Sequence, residues 1–395
     1  MQTMAFVDRL EGINRYYQYF KLFAWVVFLA GFAPVCLANG MHAAAALLAV
    51  LGLLVNHLVF RKLELPISDE LHSRITLLLY LEHVVVLLVS AWFLTRPIEG
   101  VGAGAHSWKI IPNTEHPDPV LLMLARERLA VLRTRRGGAE VLQSRDGGKT
   151  WRNLRYPGLF GWCMFFDAKR EELWVGPNKG NRVHFYRFKT GRWISMPRPA
   201  GYIWSISVIN NVPHLTVRGE LFRLREGGWV SVHRGNVKTI VASPDRKKKL
   251  ILSLGRRWRE SSDGGKTWRD VTATGADLLT PRGAVGGGGR RYVFEGGVFR
   301  GRFYAAGPGE RFQERELPAP DIRVMVASPA DGRDIWIGSW GQGIFRSRDA
   351  GRTWRYMGLR GIQVRSMALD IESRKIYAAS SNLLFRHGIY VMTFK

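Results

Sequence analysis

An eight-residue pattern occurs three times after the first third of the chain. It reads Ser-Arg-Asp-Gly-Gly-Lys-Thr-Trp at residues 144–151, Ser-Ser-Asp-Gly-Gly-Lys-Thr-Trp at 261–268 and Ser-Arg-Asp-Ala-Gly-Arg-Thr-Trp at 347–354. These are the residues of a tight turn between two short strands, because the Asp carboxylate can accept backbone N–H bonds and Gly can adopt a positive φ. We expect the final Trp to pack between neighbouring sheets. The pattern therefore predicts a repeated β-sheet unit.

Aromatic residues continue this spacing between the complete copies. They are Trp193, Trp229 and Phe312, each after a turn that contains Gly, and the intervals from Trp151 onward are 42, 36, 39, 44 and 42 residues. This is the length of a four-stranded propeller blade. The region is predicted to be an all-β propeller, with seven blades favoured and six or eight left open.

Apolar runs of strand length divide each repeat into four. They lie at residues 159–166, 172–176, 182–188 and 193–196 in one repeat, and at 324–328, 334–338, 343–347 and 354–357 in another. The last repeat supplies three, at 363–370, 375–379 and 383–386. Its fourth strand is predicted from residues 107–112, which would close the ring and remove an exposed sheet edge. The alternative is 389–394, with Trp108 at the periphery.

The three octapeptides resemble the Asp-box, also called the bacterial neuraminidase repeat. It marks β-propellers of sialidases, sortilin-type receptors, xyloglucanases and photosystem II assembly factors. Residues 336–354 resemble both the xyloglucanase and the assembly-factor repeats. The structural Asp-box residues here are Asp146, Trp151, Asp263, Trp268, Asp349 and Trp354. The resemblance, which covers the propeller alone, implies a non-catalytic protein that binds membrane subunits on the exported face.

The first 105 residues differ from the rest in charge and hydropathy. They hold seven Lys and Arg and seven Asp and Glu, so the remaining 51 basic and 25 acidic residues carry the whole net charge of +26. Residues 22–38, 43–60 and 75–95 are apolar stretches of a length that crosses a hydrocarbon layer of ~30 Å as helices. We therefore divide the chain into a cytoplasmic or interfacial segment (1–21), a three-helix membrane anchor (22–95), a linker (96–107) and the propeller (108–395).

The flanking charges predict the orientation of these spans. The basic residues before the first span and between the second and third are Arg9, Arg15, Lys21, Arg61, Lys62 and Arg74, and only Arg96 follows the third. By the positive-inside rule the amino terminus is cytoplasmic and the propeller periplasmic, at a cytoplasmic or intracytoplasmic membrane. A signal peptide cleaved near Ala38 is the alternative, which the two further apolar stretches disfavour.

The composition excludes several kinds of chemistry. Cys36 and Cys163 are too few for a disulfide framework or an all-Cys metal site. The Asp-box aspartates lack the alternating ligands of a calcium loop. Glycoside hydrolysis needs two carboxylates across a cleft, and the Arg-Ile-Pro type motif of sialidases is absent. We therefore predict no catalytic residues and no metal site. The alternative is a membrane-anchored glycan-binding protein or glycoside hydrolase of the sialidase or xyloglucanase type.

Two further sets of residues are candidates for binding. His57 and His83 lie in predicted spans and are candidate ligands of haem or (bacterio)chlorophyll, although no cofactor is required. The positive charge implies an acidic protein or lipid head groups as partner, and export disfavours nucleic acid. Residues predicted near the binding face of the propeller are Arg136, Lys179, Arg182, Lys238, Arg282, Arg323, Trp340, Arg360 and Arg365. Together these features predict a structural subunit that stabilises or assembles a membrane complex, with a photosynthetic reaction centre or another electron-transfer complex favoured by the resemblance.

Overall fold

The chain divides into two compact units, Met1–Pro97 and Ile98–Lys395. In the first unit the structure, a computed structural model, describes residues 30–34, 36–37, 42–58 and 69–95. In the second unit it describes 107–395 apart from 113, 115–119, 136–137, 178–179, 210–211, 227, 243–249, 255–256, 264–266, 272–281, 298–300 and 381–387.

The first unit contains helices α1 (His42–Leu58) and α2 (Asp69–Thr95), which pack against each other. Small side chains line their contact, and Ala45 and Ala49 are fully buried. The His83 imidazole, also fully buried, lies against the backbone of Gly52, where an added Cβ would be 1.9 Å from Nε2. The two helices can therefore approach this closely because residue 52 has no side chain.

Within the described residues of this unit, one helix is long and apolar enough to cross a membrane, at Ser73–Trp92. The second predicted span forms a shorter apolar helix, Ala44–His57. The 17 residues of α1 rise about 26 Å, less than a hydrocarbon core of ~30 Å. The first predicted span, 22–38, lies outside the described residues except for 30–34 and 36–37, which are helical. The expected three membrane helices are thus corrected to one candidate in the described part.

The strands described in the second unit form seven four-stranded antiparallel sheets. The first four sheets are β2–β5 (Val120–Ala125, Arg128–Arg135, Gly138–Ser144, Arg152–Asn153), β6–β9 (Cys163–Asp167, Glu172–Gly176, Arg182–Arg187, Arg192–Pro197), β10–β13 (Ile203–Ile209, Val212–Val217, Glu220–Arg225, Gly228–Arg234) and β14–β17 (Val237–Ala242, Leu250–Leu254, Arg257–Ser261, Arg269–Asp270). The others are β18–β21 (Arg282–Val285, Arg291–Glu295, Arg302–Ala306, Gln313–Arg315), β22–β25 (Ile322–Ala327, Ile335–Ser339, Ile344–Ser347, Arg355–Tyr356) and β26–β28 (Val364–Asp370, Lys375–Ser380, Gly388–Thr393) with β1 (Lys109–Ile110).

The first strands of the sheets form a closed ring. Each of β2, β6, β10, β14, β18, β22 and β26 contacts the first strands of both neighbouring sheets. The apolar cores lie between successive sheets. The predicted β-propeller is confirmed.

An amino-terminal strand completes the last sheet. β1 pairs with β28 through Lys109 opposite Val391 and Ile110 opposite Tyr390, and Trp108 is fully buried. Closure by residues 107–112 is confirmed, and the alternative with a peripheral Trp108 is wrong. The third strand of this sheet is Gly388–Thr393. The predicted third strand, 383–386, lies outside the described residues. The 388–393 run is favoured because it pairs with β27 over all six positions.

The turns of the repeated octapeptides have the predicted hydrogen bonds. In the first copy the Asp146 carboxylate accepts the Thr150 N–H at 3.0 Å and the Thr150 hydroxyl at 2.5 Å, and Ser144 Oγ donates to it at 2.8 Å. Asp263 and Asp349 make the same bonds with Thr267 and Thr353. These bonds, from Thr150 above all, lower the pKa of Asp146 to about 2, because they stabilise the charged carboxylate.

The recurring tryptophans connect successive sheets. Four indole N–H groups donate to a backbone carbonyl at the outer strand of the preceding sheet, at 2.6–3.1 Å. The donors are Trp108, Trp193, Trp229 and Trp354, and their acceptors are Met357, Leu154, Pro197 and Glu316. Trp151 and Trp268 pack within the apolar clusters between sheets. The predicted inter-sheet packing of these tryptophans is therefore confirmed.

Candidate functional site

The loops that lead into the first strands share one end of the ring. In antiparallel four-stranded sheets, the connections from the fourth strand to the next first strand and from the second to the third strand lie at the same end. Arg282 begins β18, while Arg323 and Arg365 are the second residues of β22 and β26. We call these three residues the arginine mouth.

Arg323 has a fixed orientation. Its Nε lies 2.9 Å from Asp321 Oδ1, and its Nη2 donates to Oδ2 at 3.0 Å. The guanidinium carbon lies 5.0 Å from the centre of the Trp340 ring. Asp321 is 1% exposed, and its carbonyl accepts the Trp340 N–H at 2.9 Å. A charge-assisted hydrogen bond and a ring contact together hold the guanidinium plane.

Arg282 brings a second positive charge to the same place. Its Nη1 donates to the Arg323 carbonyl. Arg282 is exposed to solvent, but protein atoms on several sides partly desolvate its guanidinium group. This desolvation lowers the pKa of Arg282, and the positive charges of Arg323 and Arg365 lower it further. Since the three guanidinium groups repel one another, an anion bound among them is favoured.

Aromatic side chains continue from the arginine mouth. The Arg365 guanidinium lies 5.1 Å from the centre of the Trp162 ring. Trp162 meets Tyr202 edge to face at 5.6 Å, and Tyr202 meets Trp204 at 5.1 Å. Beside them Leu159 and Phe160 are 67% and 42% exposed, and Trp162 and Trp204 are 36% and 45% exposed. We call Leu159, Phe160, Trp162, Tyr202 and Trp204 the aromatic rim.

The loop that carries three of the five residues of the aromatic rim has a fixed backbone. The Leu159 carbonyl accepts the Ala139 N–H at 2.8 Å, and the Phe160 carbonyl accepts the Tyr156 hydroxyl at 3.1 Å. The Trp162 N–H donates to the Gly176 carbonyl at 2.9 Å. These bonds hold the loop in place while its large apolar side chains face solvent.

The structure brings together four of the nine predicted binding residues: Arg282, Arg323, Arg365 and Trp340. Arg360 stacks on the Tyr356 ring, and Arg182 donates to the Ser195 carbonyl, so each contacts its own sheet. Lys238 lies in β14, and its side chain is not described. Arg136 and Lys179 lie outside the described residues. The role of these residues in binding stays a prediction.

The aromatic rim is not predicted from the sequence. Residues 159–166 are predicted as one strand, whereas β6 begins at Cys163, so the predicted start is wrong. The sequence signal for the aromatic rim is the unbroken apolar run Leu159-Phe160-Gly161-Trp162. This run departs from the alternation of apolar and polar residues that is expected of a strand with one solvent face.

The arginine mouth is suited to binding an anionic group. The Asp321 carboxylate is buried and paired with Arg323, so it is not accessible to a bound molecule. Glycoside hydrolysis requires two accessible carboxylates. The residues that the structure describes also hold no group of three or more His, Cys, Asp or Glu suited to a metal ion.

The two histidines in the helices make contacts within their own unit. His57 Nδ1 lies 2.9 Å from the Tyr80 hydroxyl, and His83 Nδ1 lies 2.5 Å from the Leu79 carbonyl. His83 Nε2 faces Gly52. Ligation of a pigment or haem by either residue stays a prediction.

The comparisons with known proteins point to the propeller fold. No protein-family model matches this chain. The xyloglucanase Xgh74A of Acetivibrio thermocellus is 25% identical over 256 residues, which cover 54% of this chain and 28% of the xyloglucanase. The chain thus spans less than a third of the length of that curated relative.

Solved structures match over the propeller with low sequence identity. YCF48 bound to D1 peptide superposes with a TM-score of 0.55 at 15% identity, covering 76% of this chain and all of YCF48. YCF48 from Cyanidioschyzon merolae gives 0.53 at 18%, covering 72% and 98%. The GH74 enzyme of Niastella koreensis gives 0.55 at 14%, covering 72% and 53%. At these identities the likeness shows a β-propeller that resembles both YCF48 and GH74 propellers, and the fold hosts unrelated functions.

Proposed function

We propose that this protein is a non-catalytic, membrane-anchored accessory subunit that stabilises or assembles a membrane protein complex. The apolar helix Ser73–Trp92 anchors it in the membrane with a cytoplasmic amino terminus, and residues 108–395 form a periplasmic docking propeller. The partner is another subunit of the complex, and a photosynthetic reaction centre or other electron-transfer complex is the one we favour. The function requires no cofactor.

The arginine mouth carries this proposal. The buried carboxylate of Asp321 neutralises and orients Arg323. Arg282 and Arg365 are then left to bind an anionic group of a partner. Arginine beside tryptophan is the composition of protein-binding hot spots. The likeness to YCF48, whose solved structure holds a D1 peptide, supports a peptide segment as that group's source. The apolar helix Ser73–Trp92 supports attachment to a membrane.

Charge reversal at two positions tests the proposal. We expect the full chain, extracted from its native membranes in a mild detergent, to bring down partner subunits in fixed stoichiometry. The variant Arg282→Glu, Arg365→Glu should lose them, with a decrease in binding of at least tenfold, since truncating or reversing buried charges at an interface costs about 2–5 kcal/mol. Arg323 is left in place because it neutralises Asp321.

The matched control makes the same change of charge at the other end of the sheets. Arg145 and Lys189 are exposed in turns between third and fourth strands, so Arg145→Glu, Lys189→Glu should keep the partners. Equal loss in both variants would mean that net charge, rather than the arginine mouth, holds the complex together.

A glycan-binding protein or glycoside hydrolase is the second candidate. The 25% identity to a xyloglucanase favours it. A purified monomer that retains or hydrolyses xyloglucan oligosaccharides would support this alternative, and no retention by the full chain would exclude it.

A further inference from the structure

We propose that the aromatic rim is a second membrane contact, which lies in the head-group region of an anionic bilayer and lays this end of the propeller on the lipid surface. The inference rests on the membrane attachment in the proposed function. It adds a lipid-binding surface outside the arginine mouth.

The composition of the aromatic rim fits a bilayer interface. Trp and Tyr concentrate at the level of the lipid head groups, because each ring has an apolar body and a polar edge. Leu and Phe at the outer edge of such a surface insert among the acyl chains. Leu159 is the most exposed member, at 67%, and leucine is under-represented in protein-binding hot spots. A lipid surface therefore suits this composition better than a protein partner.

The loop geometry supports insertion. Because the backbone of residues 159–162 is held by bonds to Ala139, Tyr156 and Gly176, the loop presents its apolar side chains to solvent without a cost of ordering the backbone on binding. A soluble surface rarely exposes a contiguous patch of large apolar side chains unless it binds something.

Charge and tethering supply the attraction and the proximity. The arginine mouth adjoins the aromatic rim through the contact of Arg365 with Trp162, and the region after residue 105 carries all of the net charge of +26. Basic residues near an anionic leaflet are attracted to its surface. Residues 96–106 separate α2 from Ser107 and span at most roughly 40 Å, so the propeller stays within reach of any bilayer that contains α2.

Site-specific fluorescence on the full chain tests the inference. The probe is the environment-sensitive dye NBD on Leu159→Cys, in a Cys36→Ala, Cys163→Ala background, with the chain reconstituted into nanodiscs of phosphatidylglycerol and phosphatidylcholine. Nitroxide lipids labelled at the head group should quench this dye. The control carries the dye on Lys149→Cys, an exposed residue in a turn at the other end of the sheets, and should not be quenched.

Two variations sharpen the result. Phe160→Ser should lower the ratio of docked to undocked propeller by about five- to tenfold, because it removes an exposed aromatic ring that the lipid buries on docking. Discs of phosphatidylcholine alone should weaken docking, because the arginines lose their anionic lipids.

The outcomes separate this inference from the proposed function. Equal quenching at positions 159 and 149 overturns the lipid contact. The lipid contact is also overturned if the label at 159 is shielded from solvent only when a partner subunit is present. Failure of the chain to enter nanodiscs overturns the membrane attachment and the lipid contact together. Loss of partners in the Arg282→Glu, Arg365→Glu variant, with quenching at 159 weakened but still stronger than at 149, confirms the docking role and leaves the lipid contact standing.

Discussion

Replacing Trp108 tests how the propeller closes. The side chain is fully buried, and its indole N–H donates to the Met357 carbonyl at 2.6 Å. Truncating a buried tryptophan to alanine costs about 3–5 kcal/mol, and the lost hydrogen bond contributes about 1 kcal/mol of the total. We therefore expect Trp108→Ala to lower the free energy of unfolding by about 4 kcal/mol. Trp108→Phe, which keeps a ring and loses the donor, should cost about 1–2 kcal/mol.

Guanidinium unfolding of the full chain in detergent, followed by the circular dichroism of the propeller, measures these changes. The control is Trp204→Ala, because this residue is 45% exposed and should cost less than about 1 kcal/mol. Proteolysis should also release the residues before Trp108 faster in the Trp108→Ala variant. A Trp108→Ala protein as stable as the Trp204→Ala protein would refute closure by the amino-terminal strand.

Three further predictions follow from the described contacts. The pKa of Asp146 is about 2 in the fold against 3.8 in an unfolded chain. The charged carboxylate therefore stabilises the fold above pH 4, and this contribution is lost as the pH falls toward 2. Between pH 4 and pH 2 the free energy of unfolding should fall less for Asp146→Asn than for the wild type. Gly52→Ala should lower the thermal stability of the helical signal, at a cost of about 1–3 kcal/mol from overpacking against His83, whereas Gly31→Ala, where an added Cβ meets nothing within 4 Å, should not; equal melting temperatures would contradict the close helix contact. Desolvation raises the pKa of Cys163 to about 12. In a Cys36→Ala background a thiol reagent at pH 8 should therefore label native Cys163 much more slowly than the unfolded chain, and equal labelling rates would exclude this environment.

The propeller could be predicted from the sequence because its signal is local and repeated. The turn residues and the Trp of each octapeptide lie within eight positions, and the spacing between aromatic residues sets the length of each sheet. The amino-terminal closure was also predictable, since the surroundings of Trp108 match those of Trp151.

The misassigned elements depend on pairing and burial, which a short window does not contain. Residues 383–386 and 388–393 are both apolar, and the pairing of β28 with both β27 and β1 decides between them. Leu159 and Phe160 have the composition of a strand, but the fold leaves them on the surface. Hydropathy likewise predicted three spans, while the regular part of α1 is shorter than a bilayer core.

The arginine mouth was partly predictable. Topology alone placed Arg282, Arg323 and Arg365 at one end of the ring, because each begins or nearly begins a first strand. Asp321 was not predicted, since its ion pair with Arg323 and its burial depend on the packing of neighbouring sheets.

Photo-crosslinking in native membranes tests the docking role most directly. A chain with Trp340→p-benzoylphenylalanine places the reactive group beside Arg323, and a chain with the same substitution at Lys149 serves as control. We predict one discrete adduct with a subunit of a membrane complex from position 340 and none from position 149. Absence of an adduct at 340, or the same adduct from both positions, would contradict the account.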